Sequence, residues 1–357
     1  MHIGLIGPLP PPFGGMANQT KQLSALLISE GLKVTVVRTN ADYRWSWVSN
    51  LKGLRALARL LPYVLELWRL AGNVDCMHVM ANSGWSWQLY AAPAIWIGWI
   101  RKVPVVVNYR GGDAERYFKA SMRWVAPSLN RASEIVVPSM FLVNVFDLFG
   151  FKAKIIPNII NLERFKFRSR NISDDRNLRL VVTRNLEKIY GIDTAIHAVA
   201  ILKSTLPDVK IVIAGSGPLR DELVALTEAL ELSHSVEFAG KLEPEDVAKL
   251  YYEADIMLNP STVDNMPNSV LEALACGLPV VTTNVGGIPF IVKDNESALI
   301  VKPNNPQMLA DAILKLVNNS DLYHKLAVNG FAVAKQYGWV AVKEQWLGLY
   351  KELINAE

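Results

Sequence analysis

Two carboxylates eight positions apart, Asp264 and Glu272, lie in the run STVDNMPNSVLEALACGLPVV. Eight helical residues would span about 12 Å along the axis. Pro267 fits the first turn of a helix, so Asp264 falls in the entering loop and Glu272 is expected two turns inside. A carboxylate, free helix amides and a second carboxylate then share one edge. That set suits a nucleotide-sugar, which needs hydroxyl acceptors at each end and amides for the phosphates between them. A capping Asp and an ordinary surface Glu fit the same spacing, and spacing alone does not choose.

A second group of residues could meet phosphate. In VVTRNLEKIYGID, a strand runs into a helix, and Arg184 and Lys188 are placed to stabilise the charge of a departing diphosphate. The first βα turn, GPLPPPFGGMANQT, carries Gly14 and Gly15, which let backbone approach a ligand just before helix amides. It has no GxGxxG pattern, and the second strand ends in Arg38 rather than an acid, which argues against a dinucleotide. After PVVVN come Asn108 and Arg110, in NYRGGD. Arg110 cannot act as a base at neutral pH, so it binds an anion or a hydroxyl, or else pairs structurally with Asp113 or Glu115. His78, inside a strand, is expected to be a core histidine. There is no His/Cys cluster, DxD or HExxH, so no metal is expected.

The elements that must carry these residues alternate. HIGLIG, VTVVR, CMHVM, VPVVVN, EIVVP and AKIIP read as strands with helices between them. The alternation restarts with LRLVVTR, VKIVIAG, VEFAG, DIMLNPS and LPVVTTN. Such alternation gives parallel sheets covered on both faces. The polar stretch KFRSRNISDDRN reads as a linker. The expected domains are 1–160, a linker over 161–177, 178–340, and a C-terminal helix at 341–357 that crosses back to the first domain.

Composition narrows the class. The 357 residues are 51% hydrophobic and 20% charged, which excludes disorder, collagen and coiled coil. Cys76 and Cys276 are the only cysteines, so there is no disulfide framework. The start lacks a basic region and cleavage site, and the longest apolar run is too short to cross a bilayer, so a cytoplasmic chain is expected. Residues 1–160 hold 17 Lys/Arg against 8 Asp/Glu, a balance of +9, and seven of the ten Trp fall between Trp45 and Trp99. In LKGLRALARLLPYVLELWRL, Lys52, Arg55, Arg59 and Glu66 share one helical face, and Leu51, Leu54, Leu61, Leu65 and Trp68 the other. Beside Trp45 and Trp47, this is the pattern of residues 45–70 resting on an anionic inner-membrane surface, although a core helix with a solvated face has the same spacing. Pro62 implies a kink or two short helices. Nothing points to nucleic acid.

The paired-carboxylate block resembles the E-x7-E signature of retaining glycosyltransferases of the GT-B fold, family 4. The resemblance extends over the GG loop, IPNIINLERF, RNLEK, AGSGP, VEFAGKL and NVGGIPFIV. It implies an α/β chain of two Rossmann-like doubly wound domains facing a cleft, with donor mostly on the second domain and acceptor on the first. It further implies that Asp264 contacts donor-sugar hydroxyls and that the amides of Asn265, Met266, Pro267, Asn268 and Ser269 (Pro267 itself lacking an N–H) border sugar and phosphate. Glu272 would take the ribose hydroxyls, and Gly286 and Gly287 line the phosphate side. Departures are Asp264 for Glu, Ile189 at the usual Lys position, Arg110 for the usual His, and Phe290 for Glu, which assigns Phe290 to packing. The expected activity is retaining, metal-independent transfer from a UDP- or GDP-sugar to a glycan or lipid-linked acceptor, with no cofactor. A GT-B nucleotide-sugar epimerase and an NAD-dependent oxidoreductase are the alternatives.

Overall fold

The computed structural model describes residues 1–11, 14–40, 54–170, 172 and 177–356. The chain forms two units: Met1–Ile159 with Val342–Glu357, and Ile160–Ala341. In unit 1, strands β1 (His2–Gly7), β2 (Lys33–Arg38), β3 (Cys76–Ala81), β4 (Val105–Tyr109), β5 (Glu134–Val137) and β6 (Lys154–Ile155) form one sheet, ordered β2-β1-β3-β4-β5-β6. All pairings are parallel; Leu5 lies opposite Val36 on one side and His78 on the other. The chain builds outward from β1 in one direction, then returns to β3 and builds in the other. That reversal between β1 and β3 marks the ligand-binding end of such a sheet.

Unit 2 repeats the plan. Strands β7 (Arg179–Thr183), β8 (Lys210–Ala214), β9 (Val236–Gly240), β10 (Ile256–Asn259), β11 (Val280–Thr283) and β12 (Leu299–Val301) take the order β12-β11-β10-β7-β8-β9, again all parallel. The reversal falls between β7 and β10. Along β7, Leu180 and Val182 enter one core and Val181 the other, so both faces of the sheet are covered. This explains the unbroken apolar runs in the sequence: a strand buried on both sides has no polar face to alternate with.

Several local expectations are corrected. Pro62 lies inside a single helix, Leu54–Ala71, rather than dividing it. That helix turns Tyr63, Leu67 and Leu70 into the core and leaves Leu61, Leu65 and Trp68 exposed. Residues 45–53, including Trp45, Trp47, Leu51 and Lys52, and the side chains of Leu54, Arg55 and Arg59, lie outside the described residues. The expected linker is anchored to unit 2 over 163–170: Phe165 is buried, Phe167 packs on Phe331, and Arg170 donates to the carbonyls of Tyr251, Tyr252 and Ala254. Those carbonyls end the helix Pro244–Glu253, where a cation is favoured. Phe290, assigned to packing, is 53% exposed; its neighbour Ile288 fills the core instead.

Candidate active site

The residues after β7 and after β10 meet at the reversal point of unit 2. Arg184 immediately follows β7, and its Nη2 donates to Asp264 Oδ2 in the loop after β10. The two side chains are 12% and 9% exposed, so the pair is largely removed from water. The Arg184 guanidinium stacks over Tyr190, 4.2 Å from the ring centroid, and its Nη1 points toward Ser269 Oγ at 3.5 Å. Its Nε is enclosed, with no hydrogen-bond partner among the described residues. Asp264 Oδ1 accepts from the Asn265 amide at 3.0 Å. Burial pushes the Asp264 carboxyl up, and Arg184 pulls it back.

Two backbone approaches hold this arrangement. Gly286 has φ +53°, and a Cβ there would collide with the Asp264 carbonyl, which accepts from Gly287 N at 3.0 Å. Gly191 has φ +60° and packs against the Pro260 carbonyl, while Thr262 N donates to Ile189 O at 2.7 Å. Both glycines are therefore required by their conformation and by the lack of space.

The helix Asn268–Ala275 starts beside Arg184, with Pro267 at its N-cap and no side-chain cap. Pro267 is thus one position outside the first turn. Glu272 is the fifth helical residue, little more than one turn in, not two. It is half-buried, and burial pushes its carboxyl up to about 7, with Arg164 and Arg184 opposing the shift. An uncapped helix start, a buried guanidinium and two carboxylates make a site that can take phosphate and hydroxyls together. The structure brings Arg184, Asp264, Asn265 and Ser269 into contact or close approach, with Met266, Pro267, Asn268 and Glu272 on the same segment. Lys188 is exposed on the short turn Lys188–Tyr190.

The remaining candidates belong to unit 1. Gly14 caps the helix Gly15–Ser29 in extended backbone with no side-chain cap, at the end of the β1 loop. Asn108 is in β4 and Arg110 follows it, at the same edge of the sheet. His78 is fully buried, and its Nδ1 is 2.6 Å from Tyr350 Oη. Among the described residues there is no group of three or more metal-ligating side chains. Sequence reasoning missed Tyr190, Tyr251 and Thr183. Tyr251 Oη contacts Thr183 Oγ1 and donates to Ser269 O at 3.2 Å, locking the helix start onto β7. A tyrosine beside the NLEK turn was the only available signal for Tyr190.

Twin doubly wound units of this topology are the GT-B architecture. The Anabaena HepE protein in complex with UDP superimposes with a TM-score of 0.77 at 20% identity, covering 99% of this chain and all of that one. Sucrose-phosphate synthase from Thermosynechococcus elongatus gives 0.78 at 20% identity over the full length of both. Two family profiles adjoin along the chain: Glycosyltransferase Family 4 over residues 13–164 and Glycosyl transferases group 1 over 163–333. The chain therefore belongs to the group 1, family 4 glycosyltransferases. A Methanocaldococcus jannaschii uncharacterized glycosyltransferase is 31% identical over 220 residues, 58% of this chain and 56% of that protein. The D-inositol 3-phosphate glycosyltransferase of Corynebacterium jeikeium is 35% identical over 177 residues, 47% and 42% of the two chains. These matches span about half the length of the curated relatives.

Proposed function

We propose that the protein transfers a sugar, with retention, from a UDP- or GDP-sugar to a glycan or lipid-linked acceptor in cell-surface polysaccharide synthesis. The observation that carries this reading is the Arg184–Asp264 pair at the uncapped start of helix Asn268–Ala275. In it, Arg184 and the helix amides stabilise the leaving diphosphate, Lys188 adds a mobile cation, and Asp264 orients the sugar hydroxyls. Glu272 accepts from the ribose hydroxyls. The bond from the anomeric carbon to the phosphate oxygen breaks as the acceptor oxygen bonds to that carbon on the same face. The acceptor proton passes to the departing phosphate. No step calls on a metal or cofactor. Gly14 and Gly15 face donor phosphate, and Asn108 and Arg110 lie on the acceptor or sugar side.

A peripheral position at the inner membrane face fits a lipid-linked acceptor. Leu61 and Leu65 are 63% and 59% exposed, and Trp68 shares their face. Arg101 stacks over Trp68, and Arg131 over Trp96 and Trp99, so the exposed aromatic surface continues onto the helix Ala92–Ile100 with cations among the rings. Aromatic and aliphatic side chains interleaved with arginines suit an anionic lipid interface. Among the described residues no helix is long and apolar enough to cross a membrane.

Release of nucleoside diphosphate from a panel of UDP- and GDP-sugars tests the transferase reading. Slow release from one sugar, lost in Asp264→Ala and Arg184→Ala, is the expected result. Stabilisation by NAD and not by UDP or GDP would refute it in favour of the oxidoreductase.

A further inference from the structure

Among the described residues, Arg110 is a guanidinium without a counter-ion. Its two sequence neighbours that could have paired with it are engaged elsewhere: Asp113 lies 4.0 Å from Arg116, and Glu115 is ion-paired with Lys119. Its Nη1 is enclosed and makes no hydrogen bond with any described residue. Burial pushes the guanidinium down to about 9, with no carboxylate acting to restore it. A partly buried cation of this kind is costly unless an anion completes it.

The side chain is held by a neutral relay. Arg110 Nε donates to Asn108 Oδ1 at 3.0 Å. Because that oxygen faces a pure donor, the Asn108 amide nitrogen faces His78 Nε2, at 2.9 Å. His78 Nε2 is therefore the acceptor, and its proton sits on Nδ1, donated to Tyr350 Oη at 2.6 Å. Burial and the Arg110 charge hold His78 down to about 3, so the imidazole stays neutral. Trp346 packs on the same ring, 4.7 Å between centroids. The relay fixes the guanidinium in position without supplying any negative charge.

The turn after Arg110 is tight at one glycine and open at the next. Arg110 lies at the C-terminal end of β4, its amide donating to Ala81 O at the end of β3. A Cβ at Gly111 would collide with Tyr109 Oη, which contacts Ser83 Oγ, so the turn folds tightly beside the guanidinium. A Cβ at Gly112 would meet nothing within 4 Å. The turn is closed at its base and open above, on the ligand-binding edge of the sheet.

We propose that unit 1 binds an acidic saccharide acceptor, whose carboxylate or phosphate ester is held by Arg110. This rests on the transferase reading and adds the acceptor's chemical class. A planar guanidinium pinned at Nε has its two Nη groups left for an oxyanion, of which Nη1 is enclosed and must be uncovered for a paired hydrogen bond.

The test measures binding of D-glucuronate, glucose 1-phosphate and glucose to the full chain saturated with UDP, by ligand-observed NMR. The carboxylate and the phosphate are the two possible sources of the oxyanion. One or both acids are expected to bind and glucose to bind more weakly. Affinity for the acids should fall about tenfold or more in Arg110→Gln and be partly kept in Arg110→Lys. Asn108→Asp gives the guanidinium an internal carboxylate, and the relay can reverse through the other His78 tautomer. This variant should fold and still lose the acids, which a merely structural arginine would not produce. Equal binding of glucose, unchanged affinity in Arg110→Gln, or no binding of either acid overturns the proposal. A loss of UDP affinity in Arg110→Gln without binding of the acids also overturns it, because Arg110 would then serve the donor diphosphate. Failure of the native chain to bind UDP or GDP would count against the transferase reading instead.

Discussion

Replacing Asp264 by Asn should weaken the folded protein and at the same time tighten its hold on free UDP. The amide keeps the shape of the side chain, but its single oxygen can serve either the Asn265 amide or Arg184, so the charge opposite Arg184 and one of the two acceptors are lost. Arg184 then stays 12% exposed, with Nε enclosed and no carboxylate hydrogen-bonded to it. Breaking a buried pair outright costs about 3–5 kcal/mol, and losing the ionic part of a charged hydrogen bond about 1.5–3. With one oxygen left for two donors, about 2–3 kcal/mol is expected. For a unit of this size each kcal/mol moves Tm by about 2–4 °C, so unit 2 should melt about 4–12 °C lower. In the native chain a diphosphate must share Arg184 with Asp264, whereas in the variant it supplies the missing anion. Recovering about 1–2 kcal/mol of the loss makes UDP bind about 5–30-fold tighter. Sugar release should nevertheless fall, because the sugar hydroxyls lose their charged acceptor. Calorimetric titration with UDP and thermal melts on both proteins decide the matter. Equal or weaker UDP binding in the variant, or an unchanged Tm, would refute the view that Asp264 restrains the diphosphate-binding arginine.

Glu272 titrates near neutrality, and its raised pKa has a definite sign. The folded protein holds that proton between the ordinary carboxyl range and about 7, so stability is greatest below the range and falls as pH rises through 7. Glu272→Gln should flatten this dependence, on the order of 1–3 kcal/mol between pH 5.5 and 8.5, and weaken UDP binding; melts across that range show either outcome. Gly286→Ala places a side chain at φ +53° against the Asp264 carbonyl, so a loss of about 1–3 kcal/mol and of donor hydrolysis is expected. A native-like melt with full activity would contradict it. Leu65→Glu and Trp68→Glu change exposed positions and should leave Tm within about 1 °C. Both should lower co-sedimentation with phosphatidylglycerol vesicles about fivefold or more, and undiminished sedimentation would remove the membrane-face proposal.

The strands were legible because β-branched runs between glycines and prolines have few other ways to fold. The paired carboxylates were legible because their spacing around Pro267 is local. The ion pair between Arg184 and Asp264 was not, since it depends on β10 returning beside β7 rather than beside β9. The helix Leu54–Ala71 shows a different limit. It has two apolar faces, and Tyr63, Leu67 and Leu70 are as regularly spaced as Leu61, Leu65 and Trp68, so periodicity could not say which one enters the core. Arg168 and Arg170 made 166–177 look solvated, although arginines bind helix-end carbonyls as readily as water. Phe290 was assigned to packing because it stands where the resembling family has Glu, yet in the short turn Ile288–Phe290 it is Ile288 that is buried.

The helix Trp339–Asn355 gives the molecule an order of manufacture. Trp346 and Tyr350, which pack on His78, are synthesised after the whole of unit 2. A ribosome that has finished β6 has released every strand of the first sheet but neither ring that closes over His78. Unit 2 is contiguous and can complete its core during translation, whereas unit 1 must wait, with its histidine pocket open, until the last helix emerges. Stalled or prematurely ended chains would thus display a finished second unit joined to an unfinished first. Cutting after Ile159 likewise cannot yield unit 1 intact, and a fragment meant to isolate it must carry the final helix on a new connection.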